Sequence, residues 1–164
     1  MASVAQILGA KVSQAVWSIQ PSASVYEAIA IMAHRRVGAL IVAQEGRLAG
    51  IVTERDYARK IVLMDRSSRN TPVRDIMSTA VRYVSPQQTT DECMALMTEY
   101  RIRYLPVIMA GEVIGMVSIG DLVKNQIAEQ ERTIQQLEHY IHGNGFQPGH
   151  SELQTRPAAS MTSQ

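Results

Sequence analysis

One segment of this chain is written twice. Residues 16–60 align with residues 81–125 at a constant offset of 65 without a gap, and twelve of the 45 paired positions are identical. The identities include Pro21/Pro86, Glu27/Glu92, Met32/Met97, Arg36/Arg101, Gly46/Gly111, Gly50/Gly115 and Asp56/Asp121. A gapless self-match of that length means both copies keep the same element lengths, so one supersecondary unit is built twice.

Period and punctuation give the unit's elements. "AVWSI" and "AVRYV" read as short strands ended by Pro21 and Pro86. "SVYEAIAIMAHRR" and "TTDECMALMTEYR" repeat apolar residues every three to four positions and read as amphipathic helices. "GALIVA" and "YLPVIM" turn at Gly46 and Gly111 into "LAGIVT" and "VIGMVS", a hairpin in each copy. A second helix follows, giving βαββα twice. One such unit has too much apolar surface to hide alone, whereas two packed sheet to sheet with pseudo-twofold symmetry bury it and leave a shared central cleft. The expected class is α+β, with repeats at 4–62 and 73–126 joined by a polar linker at 63–72 and "VRDIM" leading into the second copy. Past Asp121 the helical pattern continues to residue 142, with Ile127, Ile134 and Ile141 seven apart and Leu137 between them, a narrow apolar seam. Residues 143–164 are rich in Gly, Pro and Ser and read as a flexible tail.

Composition narrows the function classes. Sixteen basic against fifteen acidic residues leave a net charge of +1, which provides no global field for nucleic acid or an anionic membrane. Cys93 is the only cysteine, so no internal disulfide framework exists, and its apolar helical setting reads as a buried thiol rather than a nucleophile. No apolar run reaches the roughly 20 residues of a membrane span; a cytoplasmic protein is expected. There is no Ser-His-Asp or Cys-His grouping, and His139 and His142 lack the further ligands of a metal site. Neither G-x-x-x-x-G-K-[ST] nor G-x-G-x-x-G occurs, so no enzyme and no metal requirement are expected.

The chemistry concentrates in two corners, "GIVTERD" at 50–56 and "GMVSIGD" at 115–121. Thr53-x-x-Asp56 and Ser118-x-x-Asp121 are capping boxes with Asp in place of Glu, and starting a helix would alone explain their residue types. Repeated behind a Gly-x-Val strand, the corner can also serve a ligand. A helix N-terminus accommodates phosphate, and a carboxylate three residues into the turn can accept from the vicinal hydroxyls of a ribose.

The tandem repeat, the Gly-h-h-Ser/Thr-x-x-Asp ends, the "RYLPVI" strand and the "VRDIM" lead-in resemble a pair of cystathionine-β-synthase (CBS) domains, a Bateman module. "TERDYARK", "MDRSS" and "VRDIM" also resemble small stand-alone bacterial CBS-pair proteins. The resemblance implies a regulatory module that binds an adenine nucleotide in the cleft, AMP foremost, with ADP, ATP, NAD or S-adenosylmethionine sharing the adenosine part. It also implies a homodimer and a regulated protein partner.

Carried over residue by residue, the first cradle would use Thr53, Arg55 and Asp56 with Met77, Val81, Arg82, Ile102, Arg103, Tyr104 and Pro106. Asp56 would hold the ribose and Thr53 the ribose or phosphate. The Val81-Arg82 backbone would meet the adenine edge, and Arg55 and Arg103 the phosphate. The second cradle would use Ser118, Gly120 and Asp121 with Val12, Val16, Trp17, Val37, Gly38 and Ala39, Trp17 either stacking on a base or packing in the core. Gly120 stands where its partner has Arg55, and Gly38 where it has Arg103. Losing two charge-assisted contacts weakens binding of a phosphate by roughly two to four powers of ten. The second cradle is therefore expected to take an uncharged adenosine part, to bind weakly, or to stay empty. Arg36 and Arg101 read as helix-dipole partners or surface charge. The competing reading is an interaction or oligomerisation module with a vestigial cleft, engaging partners through the C-terminal seam.

Overall fold

The computed structural model describes residues 1–11 and 16–143. Two compact units divide the chain, Met1–Ile127 and Ala128–Gln164. In the first unit α1 (Val4–Ala10) precedes one βαββα copy, formed by β1 (Ser18–Ile19), α2 (Val25–Arg35), β2 (Ala39–Gln44), β3 (Arg47–Thr53) and α3 (Glu54–Tyr57). A π-helical turn, Ala58–Val62, continues α3. The second copy has a 3-10 turn (Val73–Asp75), α4 (Thr90–Tyr100), β4 (Tyr104–Met109), β5 (Glu112–Ser118) and α5 (Ile119–Gly143). Of the second unit, the described residues are the later part of α5, where Ile134, Leu137, Tyr140 and Ile141 are all exposed.

The duplication holds at the level of individual dihedral angles. Ser24 and Thr89 cap α2 and α4 by accepting from the backbone N–H of Glu27 and Glu92. Both helices end on an arginine in the left-handed region, Arg36 at φ 55° and Arg101 at φ 53°. Each hairpin turns on two residues with positive φ, Glu45-Gly46 and Ala110-Gly111, the geometry that matches strand twist in a two-residue loop. Each also carries an irregularity in register, between Val42 and Ala43 and between Val107 and Ile108.

Only the first copy keeps a real first strand. β1 pairs in parallel with β2, whereas the expected strand at "AVRYV" shrinks to a single bridge between Val84 and Val107. The cause is one residue of β4. Ile41 donates its N–H to the Trp17 carbonyl at 3.1 Å. At the equivalent place stands Pro106, which has no N–H to offer Arg82. Val84 is left to bond Pro106 and Ile108 alone.

Each copy's core is closed by the other copy's leader. Val73 and Ile76 are fully buried with Val25, Met32, Leu40 and Val52 of the first copy. Val4 and Ile7 of α1 are buried with Cys93, Met97, Leu105 and Leu122 of the second. Backbone hydrogen bonds seal both exchanges: Val73 donates to Ala23, and Val25 to Thr71. Likewise Val4 donates to Gln88, and Thr90 to Ala2. The sequence places "VRDIM" before the second copy, while its apolar side chains fill the first.

Cys93 is a core residue. Burial, and secondarily the charge of Glu92, push its thiol up from 9.0 to about 11. Because the folded value exceeds the unfolded one, the neutral thiol's contribution to stability is complete below about 9 and is lost as pH rises through about 11. The native chain is accordingly expected to leave Cys93 unmodified by a thiol reagent at pH 8, with stoichiometric labelling on denaturation. Fast labelling of the native chain would contradict this burial.

Candidate functional site

Both corners form as capping boxes. The Thr53 hydroxyl accepts from the Asp56 N–H at 3.1 Å, and Asp56 Oδ2 accepts from the Thr53 N–H at 3.0 Å. Ser118 and Asp121 repeat this at 3.1 and 2.9 Å. Capping aims each carboxylate back along its strand instead of out to solvent, and both are largely buried, at 13% and 18% side-chain exposure.

In front of the first corner lies a cavity of about 780 Å³ walled by both copies. Thr53, Arg55, Asp56, Val81, Arg82, Ile102, Arg103 and Tyr104, all expected of the first cradle, line it together. Met77 and Pro106 lie outside its lining. Met77 packs behind Gly50, its sulfur 2.9 Å from where a Cβ would stand, and Pro106 is buried in β4. Gly38, expected of the second cradle, instead lines this cavity and donates its N–H to the Tyr104 hydroxyl at 3.1 Å.

The sequence missed three cations here. Arg59 and Lys60 join the lining from the π turn, where the i→i+5 spacing alters which side chains share a face. Arg101 joins from the left-handed end of α4 and accepts a 3.4 Å bond from Arg55 Nη1 on its carbonyl. Six cationic side chains thus converge on the cavity against Glu54 and Asp56. Lys60 reaches Asp56 Oδ1 at 3.3 Å and the Ile76 carbonyl at 2.7 Å. Arg82 stacks over the Tyr100 ring, 3.9 Å from its centroid.

Around the second corner, a Cβ placed on Gly120 would meet nothing nearer than Ser118 Oγ, at 3.6 Å, among the described residues. Val16 and Trp17 are partly buried, Val37 packs on the first copy's core, and Ala39 is buried opposite Thr53 in the β2–β3 ladder. Val12 lies outside the described residues. Trp17 sits beneath Arg35 at 3.9 Å, the same pair as Arg82 and Tyr100 with aromatic and cation exchanged. The carboxylate here is also occupied: Lys11 Nζ bonds Asp121 Oδ2 and the Met116 carbonyl, each at 2.9 Å.

A close approach distinguishes the corners. A Cβ on Gly50 would stand 2.7 Å from the Ser78 carbonyl oxygen, whereas one on Gly115 would meet only the end of the Leu8 side chain, at 2.8 Å. Backbone cannot swing aside as a leucine can. Gly50→Ala is expected to cost about 1–3 kcal/mol by denaturant unfolding, and Gly115→Ala less; equal losses would show that Leu8 is equally fixed.

The arrangement is that of a duplicated α+β module whose two copies share a basic cleft between capped carboxylates. The chain belongs to the CBS-domain family, whose model matches residues 4–63 and 73–128. It is 46% identical over 125 residues to the CBS domain-containing protein CBSX3, mitochondrial, of Arabidopsis thaliana, a match covering 73% of this chain and 61% of that protein's length. Among solved structures, a protein with CBS domains from Burkholderia ambifaria is similar at 55% identity and TM-score 0.76, covering 79% of this chain and 96% of that one. The CBS domain pair of protein MJ0100, solved with 5′-methylthioadenosine and S-adenosyl-L-methionine, shares the fold at TM-score 0.69 and 22% identity, covering 79% and 98%. Among the described residues no helix is long and apolar enough to cross a membrane, and no group of three or more acidic, His or Cys side chains could hold a metal ion.

Proposed function

We propose that this chain is a regulatory module, not an enzyme, that takes an adenine nucleotide into the inter-copy cavity and transmits its occupancy to a protein partner. The observation that carries this reading is the cavity's composition: a capped carboxylate from one copy faces a strand and a set of guanidiniums from the other. Asp56 accepts from the ribose hydroxyls through Oδ1, which it shares with Lys60 at 3.3 Å, since Oδ2 is taken by Thr53. The Val81-Arg82 backbone, freed from β pairing by Pro106, meets the adenine edge, and Arg55 and Arg103 meet phosphate. Adenosine-containing ligands in the MJ0100 CBS pair support the ligand class. AMP stands first, with ADP, ATP and NAD as alternatives. The working boundaries are copies at 4–62 and 73–126, a linker at 63–72 and a helical extension at 127–142, in a cytoplasmic homodimer.

A thermal-shift titration with AMP, ADP, ATP and NAD tests this. A binder gains about 2.7 kcal/mol at a hundredfold excess over Kd, and its melting temperature climbs with concentration. Mass spectrometry of a ligand retained through gentle purification would identify it. The exposed seam of Ile127, Ile134, Leu137 and Ile141 keeps the interaction-module reading in play; a melting temperature indifferent to all four nucleotides would favour it.

A further inference from the structure

The walls of the inter-copy cavity hold six cationic side chains against two acidic ones, an excess of four positive charges in a chain whose net charge is +1. Half of those cations are already committed. Lys60 bonds Asp56 Oδ1 and the Ile76 carbonyl, Arg55 bonds the Arg101 carbonyl, and Arg82 lies on the Tyr100 ring. The guanidiniums of Arg59, Arg101 and Arg103 join no ion pair and no aromatic stack among the described residues. Gathering them is unfavourable without an anion. Arg55 and Arg59 are four apart on one helical stretch, where like charges repel, and Arg101 and Arg103 flank Ile102 on the opposite wall.

Burial gives the cavity a direction. The Asp56 side chain is 13% exposed, whereas Arg55, Arg59, Arg101 and Arg103 are all exposed. A nucleotide whose ribose reaches Asp56 therefore runs its phosphates outward, past guanidiniums contributed by both copies. The phosphate nearest the ribose is met by Arg55 and Arg103, which leaves Arg59 and Arg101 for whatever follows it. AMP brings about two negative charges to this excess and ATP about four. At about 780 Å³ the cavity stands in the upper part of the roughly 300–1,000 Å³ range of ligand pockets, so a longer tail has room.

We propose that the first cradle selects nucleoside di- and triphosphates over the monophosphate, with Arg59 of the first copy and Arg101 of the second holding the phosphates beyond the first. This inference rests on the adenine-nucleotide reading above and reverses its order, setting ATP and ADP ahead of AMP.

Calorimetric titration of the full chain with adenosine, AMP, ADP and ATP tests it, run without magnesium so that the tails keep their charge. ATP is expected to bind about tenfold or more tighter than AMP, the gap narrowing as salt is added. Arg59→Gln and Arg101→Asn are each expected to weaken ATP about five- to tenfold and AMP less than about twofold; Asn tolerates the left-handed backbone at residue 101. Asp56→Asn is expected to weaken AMP and ATP alike, which assigns the heats to this cradle. ATP binding indifferent to Asp56→Asn, equal affinities for AMP and ATP, or equal losses of both in the arginine variants would overturn the proposal while leaving the nucleotide reading intact. A chain that gives neither heat nor thermal shift with any of the four ligands would overturn both.

Discussion

Arg103→Ala is expected to weaken ADP and ATP at the first cradle by roughly ten- to a hundredfold while moving adenosine by less than about twofold. The asymmetry follows from placement. The Arg103 carbonyl accepts the Ile119 N–H at 2.8 Å, which pins its backbone at the cavity wall. Its side chain is exposed and joins none of the ion pairs among the described residues. Removing it therefore breaks no internal bridge and leaves no orphaned partner. Arg55 offers a less clean variant because its guanidinium already bonds the Arg101 carbonyl. Calorimetry of both ligands against Arg103→Ala decides the matter: a common loss for ADP and adenosine would mean that Arg103 shapes the cavity without meeting phosphate.

Leu40→Ala and Leu105→Ala, at equivalent positions of the two copies, are each expected to lower unfolding free energy by about 2–5 kcal/mol. Both leucines are fully buried, one in each core cluster. More informative than the size of the loss is its shape. Each cluster contains the other copy's leader, so damage to one cannot be confined to it. A single cooperative transition, displaced to lower denaturant in either variant, is expected by circular dichroism and by Trp17 emission alike. A second transition appearing in only one variant would show that the copies unfold separately.

The elements most legible in the sequence were those specified by short-range chemistry. Gly46 and Gly111 marked the hairpins, Ser24 and Thr89 stand where α2 and α4 are capped, and the two Ser/Thr-x-x-Asp corners formed the boxes their spacing implies. The cradle residues of the first site, brought from three separate segments at 53–56, 77–82 and 102–106, were legible only through the family resemblance. What escaped depended on a neighbour distant in sequence or on an unusual backbone. The strand at "AVRYV" failed because a proline in another strand withheld one N–H. Arg101 entered the cavity because α4 ends in the left-handed region on a residue other than glycine, which helical periodicity does not signal. Lys11 was invisible because it precedes the aligned copies and its partner is 110 residues away.

The exchanged leaders also set an order for biosynthesis. The first copy is made early, yet Val73 and Ile76 must clear the ribosome before its core can shut. The helix that precedes both copies, α1, waits longest, since Leu105, Val117 and Leu122 belong to its seat. Vectorial synthesis therefore gives neither copy a head start sufficient to finish alone, and both commit to their structure only after Leu122 has been made. Until then the open apolar faces of both copies are exposed together, the interval in which a chaperone would have most to do.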